Sequence, residues 1–265
     1  MGGGKYMSMT NPVKRKLENG QRTIGGFLQT TSPVAAEIMS QSGFDWLIVD
    51  LEHAPGDFAN LQAQLQAMNG SEVVPFARAP WNDAVAIKRI LDTGVMGVLI
   101  PYVNTGREAE AAVAACKYPP QGIRGVAGSP RAAGYTGNVM EYLTSANAEV
   151  IVMTAVETTQ AVENLDEILA VEGLDGIFIG PVDLASSMGH LGNPAHPEVQ
   201  EMIATIEEEV LASDKFLGTL AATWDKASDC FEKGYQWIVL MQDGASLRKA
   251  GDEMVASFRN AYGDG

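Results

Sequence analysis

The chain has 265 residues, of which 46% are hydrophobic and 19% charged, as is typical of a soluble globular protein. Its 33 acidic and 18 basic residues give a net charge of −15, which disfavours binding to nucleic acid or to anionic membranes. No apolar run approaches the ~20 residues of a membrane span, and no charged-then-apolar leader opens the sequence. Cys116 and Cys230 are expected to be free thiols. We therefore expect a cytoplasmic protein.

Short apolar runs alternate with helical patterns along most of the chain. Residues 1–12 are predicted to be a loose tail, and the predicted strands are 23–28, 46–51, 73–77, 97–102, 150–156, 176–179, 216–220 and 237–241. Continuous apolar runs of this length are typical of buried parallel strands. Eight strands, each followed by a helix and with no linker between them, predict one (β/α)8 barrel spanning residues 1–265. A doubly wound open sheet is the alternative, and it is disfavoured because no GxGxxG follows the first strand.

Two further segments have recognisable local signals. Ser32 before Pro33 predicts the start of a helix, and a second helix is predicted over 57–68 from the spacing of its apolar residues. Residues 119–138 hold five glycines and three prolines and break the alternation. A loop this long is usually functional or disordered, so it is predicted either to wall the barrel mouth or to be a surface excursion.

Polar residues that could do chemistry follow several of the predicted strands. In a barrel of this kind the catalytic groups lie at the carboxyl ends of the strands. Glu157 and Asp183 follow two successive strands, and a pair of carboxylates is what Mg²⁺ or Mn²⁺ takes from a protein. The alternative is that each carboxylate caps the following helix. No His or Cys cluster has the spacing of a zinc site, so a structural zinc is not expected.

Arg78 and His53 complete the predicted site. Arg78 ends a strand, where its guanidinium suits a substrate carboxylate or an enolate oxygen, although a salt bridge within the rim is the alternative. His53 has Asp50 and Glu52 close by in sequence, and a histidine held by a carboxylate is a common proton shuttle. Asp92, on the helix after Arg78, is a candidate to reach back towards His53.

The cluster suits removal of a proton α to a carbonyl, with a metal stabilising the resulting enolate. The glycine turn at Gly180 beside Asp183 offers backbone N–H groups as a seat for a substrate carboxylate. Serine hydrolase and P-loop motifs are absent from the sequence. The predicted strands contain no lysine, which excludes a Schiff-base aldolase of the usual barrel type.

Motifs along nearly the whole chain resemble the HpcH/HpaI aldolase family of metal-dependent class II pyruvate aldolases. They are GFDWLIVDLEHAP (43–55), FARAPWND (76–83), IKRILDTG (87–94), KYPPQGIRGV (117–126), VETTQAVENLDEILAVEGLDGIFIGPVDLASSMG (156–189) and HPEV (196–199). The resemblance implies a lyase that joins or splits a 2-oxoacid and an aldehyde on a divalent metal ion (Mg²⁺, Mn²⁺ or Co²⁺), with no organic cofactor. It also implies a hexamer, built as a trimer of dimers, with the last helix exchanged between barrels.

The resemblance further assigns roles to individual residues. It implies that Glu157 and Asp183 bind the metal and that Arg78 polarises the keto oxygen. His53 would be the acid/base, paired with Asp92 and near Asp50.

The resemblance also implies that Gly180 and Val182 flank the substrate carboxylate. Two positions depart from the family pattern. Ala155 stands where the family usually has glutamine, and Val182 where a smaller alanine is common. Both changes alter the pocket and therefore the expected substrate. The alternatives that stay open are oxaloacetate decarboxylation or macrophomate synthase-like enolate chemistry, and a barrel that has lost catalysis and serves as a scaffold.

Overall fold

A closed barrel of eight parallel strands forms the centre of the protein. The computed structural model describes residues 10–263. The strands are β1 (Thr23–Leu28), β2 (Trp46–Asp50), β3 (Val74–Arg78), β4 (Gly97–Ile100), β5 (Ile151–Val156), β6 (Gly176–Ile179), β7 (Phe216–Leu220) and β8 (Trp237–Gln242). Each strand pairs with the next, and β8 closes on β1. The predicted (β/α)8 barrel is confirmed, and the open sheet is wrong.

Helix α1 precedes the first strand, and the other helices lie in the connections that follow the strands. They are α1 (Pro12–Glu18), α2 (Pro33–Ser40), α3 (Phe58–Ala67), α4 (Ala84–Asp92), α5 (Gly106–Cys116), α6 (Val139–Glu149), α7 (Thr159–Glu163), α8 (Leu165–Leu169), α9 (Pro181–Ser187), α10 (Pro197–Ala212), α11 (Trp224–Lys233) and α12 (Asp243–Tyr262). Ser32 caps α2 and Asp57 caps α3, so both predicted helix starts are confirmed.

Aromatic rings fill the barrel interior near the amino ends of the strands. Trp46 and Trp237, the first residues of β2 and β8, stack with ring centroids 3.5 Å apart and planes within 5°. Gly25 makes room for them, since a Cβ there would lie 2.1 Å from the Trp46 ring. The interior is therefore packed, and the space for chemistry is at the carboxyl ends of the strands. We call that end the mouth and the opposite end the base.

Helix α1 closes the base of the barrel. Asn11 is buried and caps α1, and its side-chain amide donates to the carbonyl oxygens of Met96 and Glu149, both at 3.0 Å. The predicted loose tail over 1–12 is therefore wrong for residues 11 and 12. Its first nine residues lie outside the described part of the chain.

The glycine- and proline-rich segment 119–138 lies at the base and not at the mouth. Arg131, which begins a 3-10 helix (Arg131–Thr136), donates to the carbonyl oxygens of Thr93 (2.8 Å) and Leu65 (3.3 Å). Those residues lie at the ends of α4 and α3, which reach the base. The predicted wall over the mouth is wrong, because the segment continues from the base end of α5.

Two remaining expectations concern membranes and thiols. Within residues 10–263 no helix is both long and apolar enough to cross a bilayer. Cys116 is buried, Cys230 is half-buried, and both are free thiols.

Candidate active site

Parallel strands bring the polar residues that follow them to one place, the mouth. Asp50 ends β2 and pairs in register with Arg78, which ends β3. Glu157 directly follows β5, and Asp183 lies in the first turn of α9, just after β6. The structure thus brings together residues that are far apart in the sequence.

Asp50 holds Arg78 in place. The fully buried Asp50 carboxylate accepts hydrogen bonds from Nε (2.9 Å) and Nη2 (2.6 Å) of Arg78 and from Nε2 of Gln29 (2.8 Å). Burial alone would raise the pKa of Asp50, but the hydrogen bonds and positive charge of Arg78 lower it below its ordinary value. Asp50 therefore stays ionised and fixes two sides of the guanidinium. Among the described residues none accepts a hydrogen bond from the third nitrogen, Nη1.

Glu52 joins this pair and lies beside His53. One Glu52 oxygen is 3.2 Å from Nε of Arg78 and 3.7 Å from Nε2 of His53. Burial raises the pKa of Glu52 to about 7; the charge of Arg78 opposes this rise, and the charges of Asp50 and Asp183 add to it. The His53 side chain is 56% exposed at the mouth, and its ring is next to Glu52 and not Asp50. His53 is therefore open to solvent and close to Glu52, without a direct hydrogen bond between the two side chains.

Tyr102, just after β4, contacts both candidate metal-binding carboxylates. Its backbone N–H donates to Oε1 of Glu157 (2.8 Å), and its hydroxyl donates to Oδ1 of Asp183 (3.2 Å). Burial, with the charge of Asp183 adding to it, raises the pKa of Tyr102 to about 12, so the hydroxyl keeps its proton. The backbone of Tyr102 is left-handed (φ 51°), a conformation that costs a non-glycine residue energy. This geometry aims the N–H at Glu157.

The Glu157 carboxylate is buried at the mouth, with only 5% of the residue exposed. Burial raises its pKa to about 7; the hydrogen bond from Tyr102 opposes the rise, while the charges of Glu52 and Asp183 add to it. Gly180 makes room for this carboxylate, since a Cβ there would lie 2.5 Å from its Oε2. A group of carboxylates that repel one another is what a divalent cation neutralises, and oxygen donors suit Mg²⁺ or Mn²⁺. Glu157 and Asp183 therefore fit a hard divalent ion.

The remaining predicted pocket residues surround these carboxylates. Ala155 is 3% exposed and faces the barrel interior, two residues before Glu157 on the same face of β5. Gly180 precedes α9, and Val182 lies in its first turn, 55% exposed. The structure places all three residues beside the mouth, as predicted.

Asp92 is far from His53 within the chain, which corrects the expected contact. Asp92 ends α4 at the base, where its Oδ1 accepts a hydrogen bond from Nη2 of the buried Arg124 (2.8 Å). The same nitrogen donates to the hydroxyl of Tyr142 (2.8 Å). The physical reason is that a helix after a strand runs back to the opposite end of the barrel. Within one chain, Asp92 therefore pairs with Arg124.

Sequence reasoning did not assign Tyr102 or Gln29 to the site. It named Glu52 only as a neighbour of His53 in the DLEH run at the end of β2, with no role of its own. Tyr102 ends the apolar run of β4, which made it part of a predicted strand rather than a polar residue after one. Nothing in the sequence marks Gln29, which is found only through its hydrogen bond to Asp50.

Comparison with known proteins places the chain in a family. Residues 23–250 match the HpcH/HpaI aldolase/citrate lyase family. The chain is 41% identical over 249 residues to 5-keto-4-deoxy-D-glucarate aldolase from Escherichia coli (strain K12 / DH10B), covering 94% of this chain and 97% of that protein.

Two solved structures are similar in both fold and sequence. An HpcH/HpaI aldolase/citrate lyase family protein from Burkholderia cenocepacia J2315 has a TM-score of 0.90 at 34% identity, covering 94% of this chain and 100% of that one. An HpcH/HpaI aldolase from Desulfitobacterium hafniense DCB-2 has a TM-score of 0.86 at 31% identity, covering 93% and 96%.

The fold and the carboxylate-lined mouth define a barrel lyase. The chain belongs to the HpcH/HpaI aldolase/citrate lyase family. It is an enzyme, an aldolase that makes or breaks a carbon–carbon bond, and the family's dependence on a divalent metal agrees with the oxygen donors at the mouth. The predicted family, fold and class of reaction are confirmed.

Proposed function

We propose that the enzyme splits 4-hydroxy-2-oxoacids into a pyruvate-type 2-oxoacid and an aldehyde, and catalyses the reverse addition. The observation that carries this proposal is the group of ionisable residues at the mouth, where buried Glu157 and half-buried Asp183 lie close to an arginine fixed by Asp50. The relative at 41% identity is named for cleavage of such a compound, 5-keto-4-deoxy-D-glucarate.

Glu157 and Asp183 are proposed to hold the divalent ion, which is Mg²⁺, Mn²⁺ or Co²⁺. Once bound, the ion would act as a Lewis acid that makes the protons next to a carbonyl easier to remove. Tyr102 would keep both carboxylates oriented through the two hydrogen bonds already described. No organic cofactor is needed for this chemistry.

Arg78 and the start of α9 are proposed to bind the 2-oxoacid. Asp50 occupies two nitrogens of Arg78, which leaves Nη1 to donate to the keto oxygen and to stabilise negative charge as it develops there. Gly180 and Val182, at the amino end of α9, would flank the substrate carboxylate. Ala155, in the wall below, would leave room for a substituent on the donor.

His53 is proposed to carry the proton, acting as acid or base at the aldehyde oxygen. It is exposed at the mouth and lies 3.7 Å from Glu52, whose raised pKa suits proton exchange near neutral pH. Asp50 supports the arrangement by accepting the backbone N–H of His53 (3.2 Å). Asp92 would join His53 only in an assembly of several chains.

The exposed last helix supports an assembly of that kind. Beyond its first turn α12 is exposed, with Leu247, Met254 and Phe258 on one face at helical spacing, 62–75% exposed. We propose that this face packs on a second copy of the chain, in a hexamer built as a trimer of dimers. Phe258→Asp should lower the mass found by light scattering, and an unchanged mass would contradict the proposal. The two free thiols support a cytoplasmic location.

The substrate is tested by incubating the purified enzyme with 5-keto-4-deoxy-D-glucarate and with oxaloacetate, each with Mg²⁺ or Mn²⁺. Release of an aldehyde together with pyruvate from the sugar acid is the expected result. Decarboxylation of oxaloacetate without cleavage of any 4-hydroxy-2-oxoacid would favour the macrophomate synthase-like alternative. Inactivity on both, with metal bound, would favour the scaffold.

A further inference from the structure

The loop between α9 and α10 brings together two of the chain's three histidines. The rings of His190 and His196 stack with centroids 3.6 Å apart and planes within 15°. Oε2 of Glu198 lies 2.9 Å from Nε2 of His190. Among residues 10–263 these three side chains form a group whose ligand atoms all lie within 4.8 Å of one another. This group is separate from the carboxylates of Glu157 and Asp183.

Backbone hydrogen bonds hold this loop in shape. The N–H of His190 donates to the carbonyl of Ala185 (2.7 Å), that of Asn193 to the carbonyl of His190 (2.9 Å), and that of His196 to the carbonyl of Asn193 (3.1 Å). The loop therefore fixes both histidine backbones before any ligand binds, which lowers the entropy lost on binding.

We propose that His190, His196 and Glu198 form a binding site for a transition-metal ion of the zinc type. Two imidazoles and a carboxylate are a common ligand set for Zn²⁺, with water in the fourth position. Imidazole also suits Cu²⁺ and Ni²⁺, whereas Mg²⁺ prefers oxygen ligands. The site thus differs in chemistry from the proposed Glu157 and Asp183 site, and the two would select different ions. The sequence spacing did not indicate it, because the third ligand is a glutamate.

The local geometry needs only small changes to accept the ion. Zinc bonds of about 2.0–2.2 Å place tetrahedral donors roughly 3.3 Å apart, so the 2.9 Å contact would open slightly and the widest separation would close. Nδ1 of His196 accepts the backbone N–H of Glu198 at 3.4 Å, a long hydrogen bond that the ring can give up. The ion would replace the proton shared by His190 and Glu198, so binding releases protons.

The position of the site indicates what the ion would do. α9 carries Asp183 in its first turn, and the loop starts where α9 ends. An ion shared by His190 on the loop and Glu198 on α10 would join the loop to α10. We infer that it restrains the segment that follows α9 at the mouth.

The test uses full-length protein carrying Glu157→Gln and Asp183→Asn, so that the mouth no longer offers charged metal ligands. Zinc is titrated by calorimetry, and the bound ion is counted by elemental analysis after gel filtration. One zinc per chain is the expected result. His190→Gln and His196→Asn, each added to this background, should weaken binding at least ~10-fold, since each removes an imidazole ligand. Asparagine is a good N-cap, so His196→Asn preserves the start of α10.

The control is Glu201→Gln, which removes an exposed carboxylate of α10 outside the group and should leave the zinc affinity unchanged. X-ray absorption at the zinc edge should show imidazole ligands that the histidine variants lose. Failure of the background protein to bind zinc would overturn the proposal. So would zinc binding that survives both histidine substitutions, or that Glu201→Gln weakens equally, because the group would then be only a helix cap with an ion pair.

Discussion

Replacing Glu157 with glutamine is expected to stabilise the metal-free protein at pH 8 and to change its stability little at pH 4.5. Glutamine has nearly the same shape, and its oxygen can still accept the N–H of Tyr102. The substitution removes a buried carboxyl group whose pKa is raised to about 7, and with it the negative charge that this group carries above that pH. The substitution therefore isolates the free-energy cost of ionising this position.

The sign and size follow from the pKa. Because the folded-state pKa of Glu157 is raised from 4.5 to about 7, the folded protein holds this proton over a pH range in which the unfolded chain has lost it. Stability that is present below pH 4.5 is thus lost as the pH rises to about 7. A rise from 4.5 to about 7 corresponds to about 3.4 kcal/mol at 1.36 kcal/mol per pKa unit. Glu157→Gln should avoid most of this loss.

Urea unfolding at one protein concentration, with a chelator, measures the effect. The gap between variant and wild type should open to about 3 kcal/mol between pH 4.5 and pH 8. Glu163→Gln, at an exposed position on α7, is the matched control and should open no such gap. Adding Mn²⁺ at 100 times its Kd should stabilise the wild type by about 2.7 kcal/mol and the variant far less. A gap that is equal at both pH values would refute the assignment of the buried charge to Glu157.

Three further substitutions test other parts of the site. His53→Ala should slow exchange of the pyruvate methyl protons about 10²–10⁴-fold, and an unchanged rate would move the proton transfer to another group. Ala155→Gln should raise kcat/KM for pyruvate relative to 2-oxobutyrate, by a factor that corresponds to about 1–3 kcal/mol. If the variant keeps the ratio of the wild type, this position does not set donor choice. Asp92→Asn should lower the free energy of unfolding by about 1–3 kcal/mol, because it leaves the buried Arg124 without its counter-charge, and unchanged stability would contradict that role.

The sequence predicted the strands and their ends well because buried parallel strands are continuous apolar runs. The runs at 176–179 and 216–220 match β6 and β7 residue for residue. The same regularity located Arg78 and Glu157, since each directly follows such a run, and it placed Asp50 near the end of the second run. Local signals of this kind need no knowledge of tertiary contacts.

Contacts between distant segments could not be predicted in the same way. The segment 119–138 was predicted either to wall the mouth or to be a surface excursion, yet the hydrogen bonds of Arg131 to Thr93 and Leu65 fix it at the base. Asp92 was paired with His53 although α4 runs away from the mouth. The stacking of His190 on His196 depends on the path of one loop, which residue spacing does not encode.

Exchange of the pyruvate methyl protons with deuterium tests the central claim most directly, because it requires the proposed proton removal but no aldehyde. The recovered pyruvate is analysed by mass spectrometry after incubation in heavy water. We expect exchange by the wild type with Mg²⁺ or Mn²⁺, and its loss after chelation and in both Glu157→Gln and Asp183→Asn. Exchange at the full rate after exhaustive chelation, or in both variants, would contradict a metal-dependent aldolase site at these carboxylates.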